Sequence, residues 1–408
     1  MNWRDPIVGL LVAFAVSAAL TPLVARAAFV VGAVDRPRGR GLAAGGTPLL
    51  GGLAMLVAVV VAVLLEMPDS VALSHNLRAI LLGGVLISVV GAIDDRFDLP
   101  WAVKLVGQIA AAYIPVSQGV QVENITFPFL GAVDFADGPS TILTIFGFVL
   151  LMNVVNFSDG IDGLAAGVSS IAAVAMGIVA ADLAKDHAAL LAAATAGAAL
   201  GFLVHNFHPA RVFMGDTGAM LLGYLLAAIA VEGSVKTNAV LALVVPFVVL
   251  ALPVLDTTFV VLKRLKSGVP IYNADQNHFH HRLSRIGFSP RRTVLYLYLW
   301  AGSLAGLAVA LRFVPYSDNR GHFDVAWTTV MGLILVACLA VSFYLVTVLE
   351  ILKLRRIDAL RLRLARPGIT EDEIDADVAR ALETGEFGSI TGEMRAVTGE
   401  HRAADGPG

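Results

Sequence analysis

The chain has 408 residues, of which 57% are hydrophobic and only 15% charged, and its mean hydropathy is +0.78. A soluble protein carries about 25% charged residues, so an ordinary soluble domain is excluded, and the long apolar runs point to a polytopic membrane protein. The net charge of −3 leaves no basic field for nucleic acid. The single Cys338 cannot form an internal disulfide and reads as a small core residue.

The first apolar run, about 7–31, exceeds the roughly 7–15-residue core of a signal peptide and is expected to remain as a span. A helix needs about 20 apolar residues to cross a bilayer. Eleven candidates follow in order: about 7–31, 49–65, 77–93, 101–116, 141–157, 164–181, 187–205, 218–232, 238–262, 293–313 and 325–352, the fourth, fifth and eighth being short. The expected fold class is an all-α polytopic membrane protein. No sheet is expected, because lipid offers an open backbone edge no partner.

Loop charges set the orientation. One side carries Arg36, Arg38, Arg40, Arg96, Arg211, Lys263, Arg264, Lys266, Arg282, Arg285, Arg291, Arg292, Lys353, Arg355 and Arg356; the other carries Lys185, Lys236 and Arg320. With eleven spans this places the N-terminus outside and the C-terminus in the cytoplasm. Residues 1–353 read as the transmembrane domain. A cytoplasmic tail, 354–408, starts basic with Arg361, Arg363 and Arg366, breaks at Pro367-Gly368 and ends in a Gly-, Ala- and Asp-rich stretch expected to be partly disordered.

The unusual polar residues crowd onto the basic side. Asn153, Asn156, Asp159 and Asp162 recur every third residue between two apolar runs, with Gly160 and Gly163 between them. On helical backbone such neighbours form one stripe, and polar groups at that depth are costly and usually functional; the plain alternative is a solvated turn. Asp94-Asp95, in the stretch Asp94-Asp95-Arg96-Phe97-Asp98, ends the third span. Adjacent carboxylates repel unless a cation shares them, and Mg²⁺ binds carboxylates together with phosphates; a helix end in water is the alternative.

Phe213-Met214-Gly215-Asp216-Thr217-Gly218 forms a tight turn with a carboxylate at a helix start. Such a start favours phosphate through its free N–H groups, or is merely capped. Phe213 is placed to stack on a base. Asp275-Gln-Asn-His278-Phe279-His280-His281-Arg282 suits a diphosphate; a zinc site or a solvated loop are the alternatives, and no nearby Cys or i, i+4 His pair completes a zinc set. Gly51-Gly52, after Thr47-Pro48, reads as close helix packing.

Together, in this order, these patches resemble the polyprenyl-phosphate N-acetylhexosamine-1-phosphate transferase family, with its MraY, WecA and TagO types. The resemblance runs from about 35 to 283, roughly two thirds of the chain. Each patch alone is weak; the set is specific. The split His278…His280-His281 and the Asp35-Arg36-Pro37 start are similar to the WecA and TagO branch, whereas the MraY type has three consecutive His. The MraY type also has a Lys four residues after the first Asp of its pair, where this chain has Asp98. Relatives place a basic residue near the glycine pair; here 43–50 contains none, which leaves Arg36, Arg38 and Arg40 as candidates.

The resemblance implies transfer of a sugar-1-phosphate, GlcNAc-1-phosphate above all, from a UDP-sugar to membrane polyprenyl phosphate, with UMP released, at the cytoplasmic face of a bacterial plasma membrane. The implied cofactor is Mg²⁺, with Mn²⁺ as the substitute, and a homodimer is left open. Asp216 is then the metal ligand. Asp94, Asp95, Asp159 and Asp162 are catalytic, with Asp94 orienting or deprotonating the lipid phosphate. Asn153, Asn156, Phe213, His278, His280, His281 and Arg282 bind substrate. Direct attack and a covalent phospho-enzyme both remain open. The alternatives are an MraY-type phospho-MurNAc-pentapeptide transferase, an intramembrane prenyltransferase using Asp94-Asp95…Asp98, and a transporter with intramembrane carboxylates.

Overall fold

The computed structural model describes residues 4–35, 46–66, 74–127, 131–233, 289–314 and 324–348. Its helices are α1 (Arg4–Val31), α2 (Gly51–Glu66), α3 (His75–Phe97), α4 (Trp101–Val116), α5 (Asp137–Ser158), α6 (Leu164–Asp182), α7 (Asp186–Asn206), α8 (Gly215–Gly233), α9 (Pro290–Phe313) and α10 (Val325–Val348). Each falls on an apolar run expected from the sequence. The run at 238–262, the His cluster at 278–281 with Arg282, the basic residues Arg36, Arg38 and Arg40, and the tail from 354 lie outside the described residues.

Seven of these helices are long and apolar enough to cross a membrane, while α2, α4 and the apolar part of α10 are shorter. The chain is a multi-pass membrane protein. The fifth run is longer than its apolar core suggested, because α5 opens with the polar turn Asp137-Gly-Pro-Ser140.

The expectation of no sheet is corrected. Two antiparallel pairs exist: β1 (Val34–Asp35) with β2 (Thr47–Pro48), and β3 (Asn124–Phe127) with β4 (Gly131–Asp134). The lipid rule governs backbone inside spans, and both pairs lie in connections between helices. Among the described residues no sheet closes on itself.

The chain divides into two units. The larger, 1–273 and 290–338, holds the helical core. The smaller, 274–289 and 339–408, is described only at Ser289 and at the end of α10.

In the larger unit α8 is central. Its residues from Thr217 to Ile229 are buried without a break, as expected of a helix apolar on every side. It packs against α2, α3, α5, α6 and α7. Small residues permit the close crossings. A side chain at Gly52 would collide with the backbone of Thr217 and Gly218, one at Gly91 with the backbone of Asp216 and Thr217, and ones at Gly197 and Gly201 with the carbonyls of Leu10 and Phe14.

Successive helices run back and forth, so alternate connections meet at one end of the bundle. Those joining α1 to α2, α3 to α4, α5 to α6 and α7 to α8 lie together there. Asp94 and Asp95 at the end of α3, Asp159 and Asp162 in the α5–α6 turn and Asp216 at the start of α8 all stand at or beside these connections.

Candidate active site

A cavity of about 420 Å³ opens at that end, lined by residues of the α1–α2, α5–α6 and α7–α8 connections and of the helix ends beside them, among them Asp35, Asp95, Asn156, Asp159, Asp162, Phe213 and Asp216. Asp35, Asn206 and Leu49 line it as well and were not singled out from the sequence as site residues.

Asp94 and Asp95 occupy the last turn of α3. That helix stops because Asp98 takes a left-handed conformation, φ +53°, and its N–H returns to Asp94 O at 2.8 Å. Asp98 is exposed and caps the helix, so the Asp94-Asp95…Asp98 triplet of a prenyltransferase is not assembled. The third carboxylate near Asp94 and Asp95 is Asp216: oxygens of the three lie within 4.8 Å of one another.

Asp95 holds the start of α8. Its carboxylate accepts from Asp216 N at 2.7 Å, Thr217 N at 3.2 Å and Thr217 Oγ1 at 2.6 Å. The free N–H groups of a helix start are thereby satisfied by an anion from another helix. Gly215, at φ +65°, is needed here twice: for its backbone angle, and because a Cβ would strike the Asp95 carboxylate.

Lys104, near the start of α4, bridges the other two carboxylates. Its Nζ lies 2.7 Å from Asp94 Oδ2 and 2.6 Å from Asp216 Oδ2. Asp94 is only 7% exposed and also accepts from Leu99 N at 2.8 Å. Asp216 is completed by Asn156 Nδ2 at 3.0 Å. Lys104 was missed in the sequence because only loop charges were weighed. Its signal was present: a lone cation in an otherwise apolar stretch, four residues before Gln108 on the same helix face.

Asn153 is placed away from the cavity. Its Nδ2 donates to Gln108 Oε1 at 2.8 Å and to Val149 O at 2.7 Å, which ties α5 to α4. The stripe at 153–162 is therefore split. Asn153 and Asn156 lie on α5, and Asp159 and Asp162 lie in the turn after it. Asp159 faces the cavity; burial, then the charges of Asp216, Asp95 and Asp162, push its carboxyl up to about 8. Asp162 is held by His208 Nδ1 at 2.7 Å and Ala210 N at 3.0 Å. Phe213 is half-buried on the cavity wall, with its N–H on Pro48 O at 2.9 Å and its carbonyl accepting from Gly51 N at 3.1 Å. Gly51 and Gly52 thus join the start of α2 to the Phe213–Met214 backbone.

Buried Asn206 links two walls. Its Oδ1 accepts from Gly163 N at 2.9 Å and its Nδ2 donates to Val212 O at 2.9 Å.

Oxygen donors from Asp94, Asp95 and Asp216 suit a hard divalent cation. Lys104 supplies one positive charge against these three carboxylates, so the cluster has anionic capacity to spare.

Residues 77–234, which include Asp94, Asp95, Lys104, Asn156, Asp159, Asp162 and Asp216, match the family model described as Glycosyl transferase family 4. A decaprenyl-phosphate N-acetylglucosaminephosphotransferase of Mycobacterium tuberculosis is 39% identical over 312 residues, covering 70% of this chain and 77% of the relative. The chain belongs to this family. Within glycosyl transferase family 4, a probable undecaprenyl-phosphate N-acetylglucosaminyl 1-phosphate transferase of Bacillus subtilis is 36% identical over 283 residues, covering 69% and 77%. An undecaprenyl-phosphate alpha-N-acetylglucosaminyl 1-phosphate transferase of Salmonella typhimurium is 28% identical over 311 residues, covering 75% and 82%. The family expected from the motifs, on its WecA and TagO side, is the one found.

Proposed function

We propose that this protein transfers N-acetylglucosamine-1-phosphate from UDP-N-acetylglucosamine to membrane polyprenyl phosphate and releases UMP, the first lipid-linked step of cell-envelope polysaccharide synthesis. The observation that carries the reading is the cluster in which Asp95 and Asp216, on the cavity wall, meet Asp94 and Lys104 directly behind them, in a chain whose relatives are named for this chemistry. The bacterial plasma membrane, eleven spans, an outside N-terminus and a cytoplasmic site complete the proposal. The loop charges support it: Arg96, in the last turn of α3, and Arg211, in the α7–α8 connection, stand at the cavity's end of the bundle, and the sequence between α1 and α2 adds Arg36, Arg38 and Arg40.

Two anionic reactants must be brought together, so catalysis is mostly positioning and charge stabilisation. Asp94, Asp95 and Asp216 would hold Mg²⁺ or Mn²⁺, which screens phosphate charge and polarises the phosphoryl oxygens. Lys104, held between Asp94 and Asp216, would supply positive charge to the entering phosphate. Asp94 orients the lipid phosphate through that lysine. Asn156, Asp159, Asp162 and Phe213 form the nucleotide wall, with Phe213 against uracil. A lipid-phosphate oxygen attacks the sugar-bearing phosphorus, and the bond to UMP breaks, with its electron pair leaving on UMP.

The test offers purified protein polyprenyl phosphate, Mg²⁺ and one radiolabelled donor at a time: UDP-GlcNAc, UDP-GalNAc or UDP-MurNAc-pentapeptide. UDP-GlcNAc should label the lipid fraction with equimolar UMP. Labelling by the pentapeptide donor alone, or release of diphosphate, would overturn the reading.

A further inference from the structure

The turn carrying Asp159 and Asp162 ends at Gly163, and the peptide groups of Gly163 are clamped from two sides. Its N–H goes to Asn206. Its carbonyl accepts from the hydroxyl of Tyr298, on α9, 135 positions further along the chain. Gly163 sits at φ +82°, so the turn depends on a conformation that other residues disfavour. The Tyr298 ring fits because Gly167, one helical turn into α6, has no side chain; a Cβ there would overlap the ring and its hydroxyl. Arg291, on the same helix α9, donates from Nε to His208 O at 2.8 Å, and the His208 ring holds Asp162.

α9 therefore reaches the turn directly through Tyr298 and, one step removed, through Arg291 and His208, while neither Tyr298 nor Arg291 lines the cavity. We propose that Tyr298 is a positioning residue for the donor nucleotide: through Gly163 it fixes the turn that presents Asp159 and Asp162, and so it governs UDP-sugar binding without touching the substrate. This inference rests on the reading of that turn as the nucleotide wall. It separates the two substrates, because Asp94, Lys104 and Asp216 are held by other bonds and keep their geometry when the hydroxyl is removed.

The test is Tyr298→Phe in the full chain, which deletes one hydrogen bond and keeps the ring. Losing one such bond should raise KM for UDP-GlcNAc by about three- to tenfold. kcat and KM for polyprenyl phosphate should stay within about twofold, since their groups are held elsewhere. Gly167→Ala, which displaces the ring, should reproduce the effect, and the double variant should be no worse than Gly167→Ala alone. UDP affinity, measured by calorimetry on the same proteins, separates this inference from the functional reading. Wild-type protein that binds UDP but does not turn over UDP-GlcNAc would end the functional reading and leave the UDP affinity of Tyr298→Phe to decide this one. An unchanged donor KM and UDP affinity in Tyr298→Phe, or an equal loss for both substrates, would overturn it.

Discussion

Lys104 and Asp216 stand 112 positions apart in the chain and 2.6 Å apart in space. The same ammonium reaches Asp94 at 2.7 Å, so one lysine joins α4 to both α3 and α8 at the point where those helices present their carboxylates.

Lys104→Gln removes the charge, keeps a terminal N–H donor and shortens the side chain by one atom. Loss of one preorganised charge at a phosphoryl-transfer site should lower UMP release by about a hundredfold or more. Steady-state turnover with UDP-GlcNAc and polyprenyl phosphate measures it; activity within about tenfold of wild type would move the lysine out of the chemistry.

Asp94 and Asp95 are neighbours with different tasks, and their variants should differ in kind. Asp95→Ala loses the cap of α8 and should destabilise the protein by about 1 kcal/mol, within a range of about 0.5–2, seen as a lower melting temperature in detergent. Asp94→Asn keeps the shape and the Leu99 contact, and should lose turnover with little change in melting temperature.

Asp216→Asn should abolish UMP release and weaken Mn²⁺ binding, read by paramagnetic resonance of the free ion. Removing divalent ions with EDTA should silence the wild-type protein, and adding Mg²⁺ or Mn²⁺ should restore it. A variant that kept both turnover and Mn²⁺ affinity would withdraw the metal assignment.

Asp159 gives a pH dependence with a definite sign. Its carboxyl is raised from 3.8 to about 8, so between those values the folded chain holds a proton that the unfolded chain has released. Stability without divalent ions therefore falls as pH rises through that window. Melting temperatures in EDTA should decline from about pH 5 to about pH 8, and Asp159→Asn should flatten the decline. An identical slope in the variant would assign it to other groups.

Much of this protein was legible in one dimension. Long apolar runs must become helices in lipid, because backbone there has no other partner, and each described helix falls on such a run. The acidic and glycine motifs stand out because polar groups beside membrane spans are costly, and that singles out Asp94, Asp95, Asp159, Asp162 and Asp216 as candidates. The family followed from their order along the chain.

Local pattern could not tell which of these groups share a bond. Asn153 and Asn156 look alike three residues apart, yet one ties helices together through Gln108 and the other reaches Asp216. Asp98 completes an acidic triplet on paper and caps a helix in space. Lys104, Asn206 and Tyr298 each depend on a partner 43 to 135 positions away. Periodicity determines which backbone is helical, because that choice is made by hydrogen bonds four residues apart. The packing of small-residue faces around α8 decides which helix ends meet, and with them the charge pairs of the site.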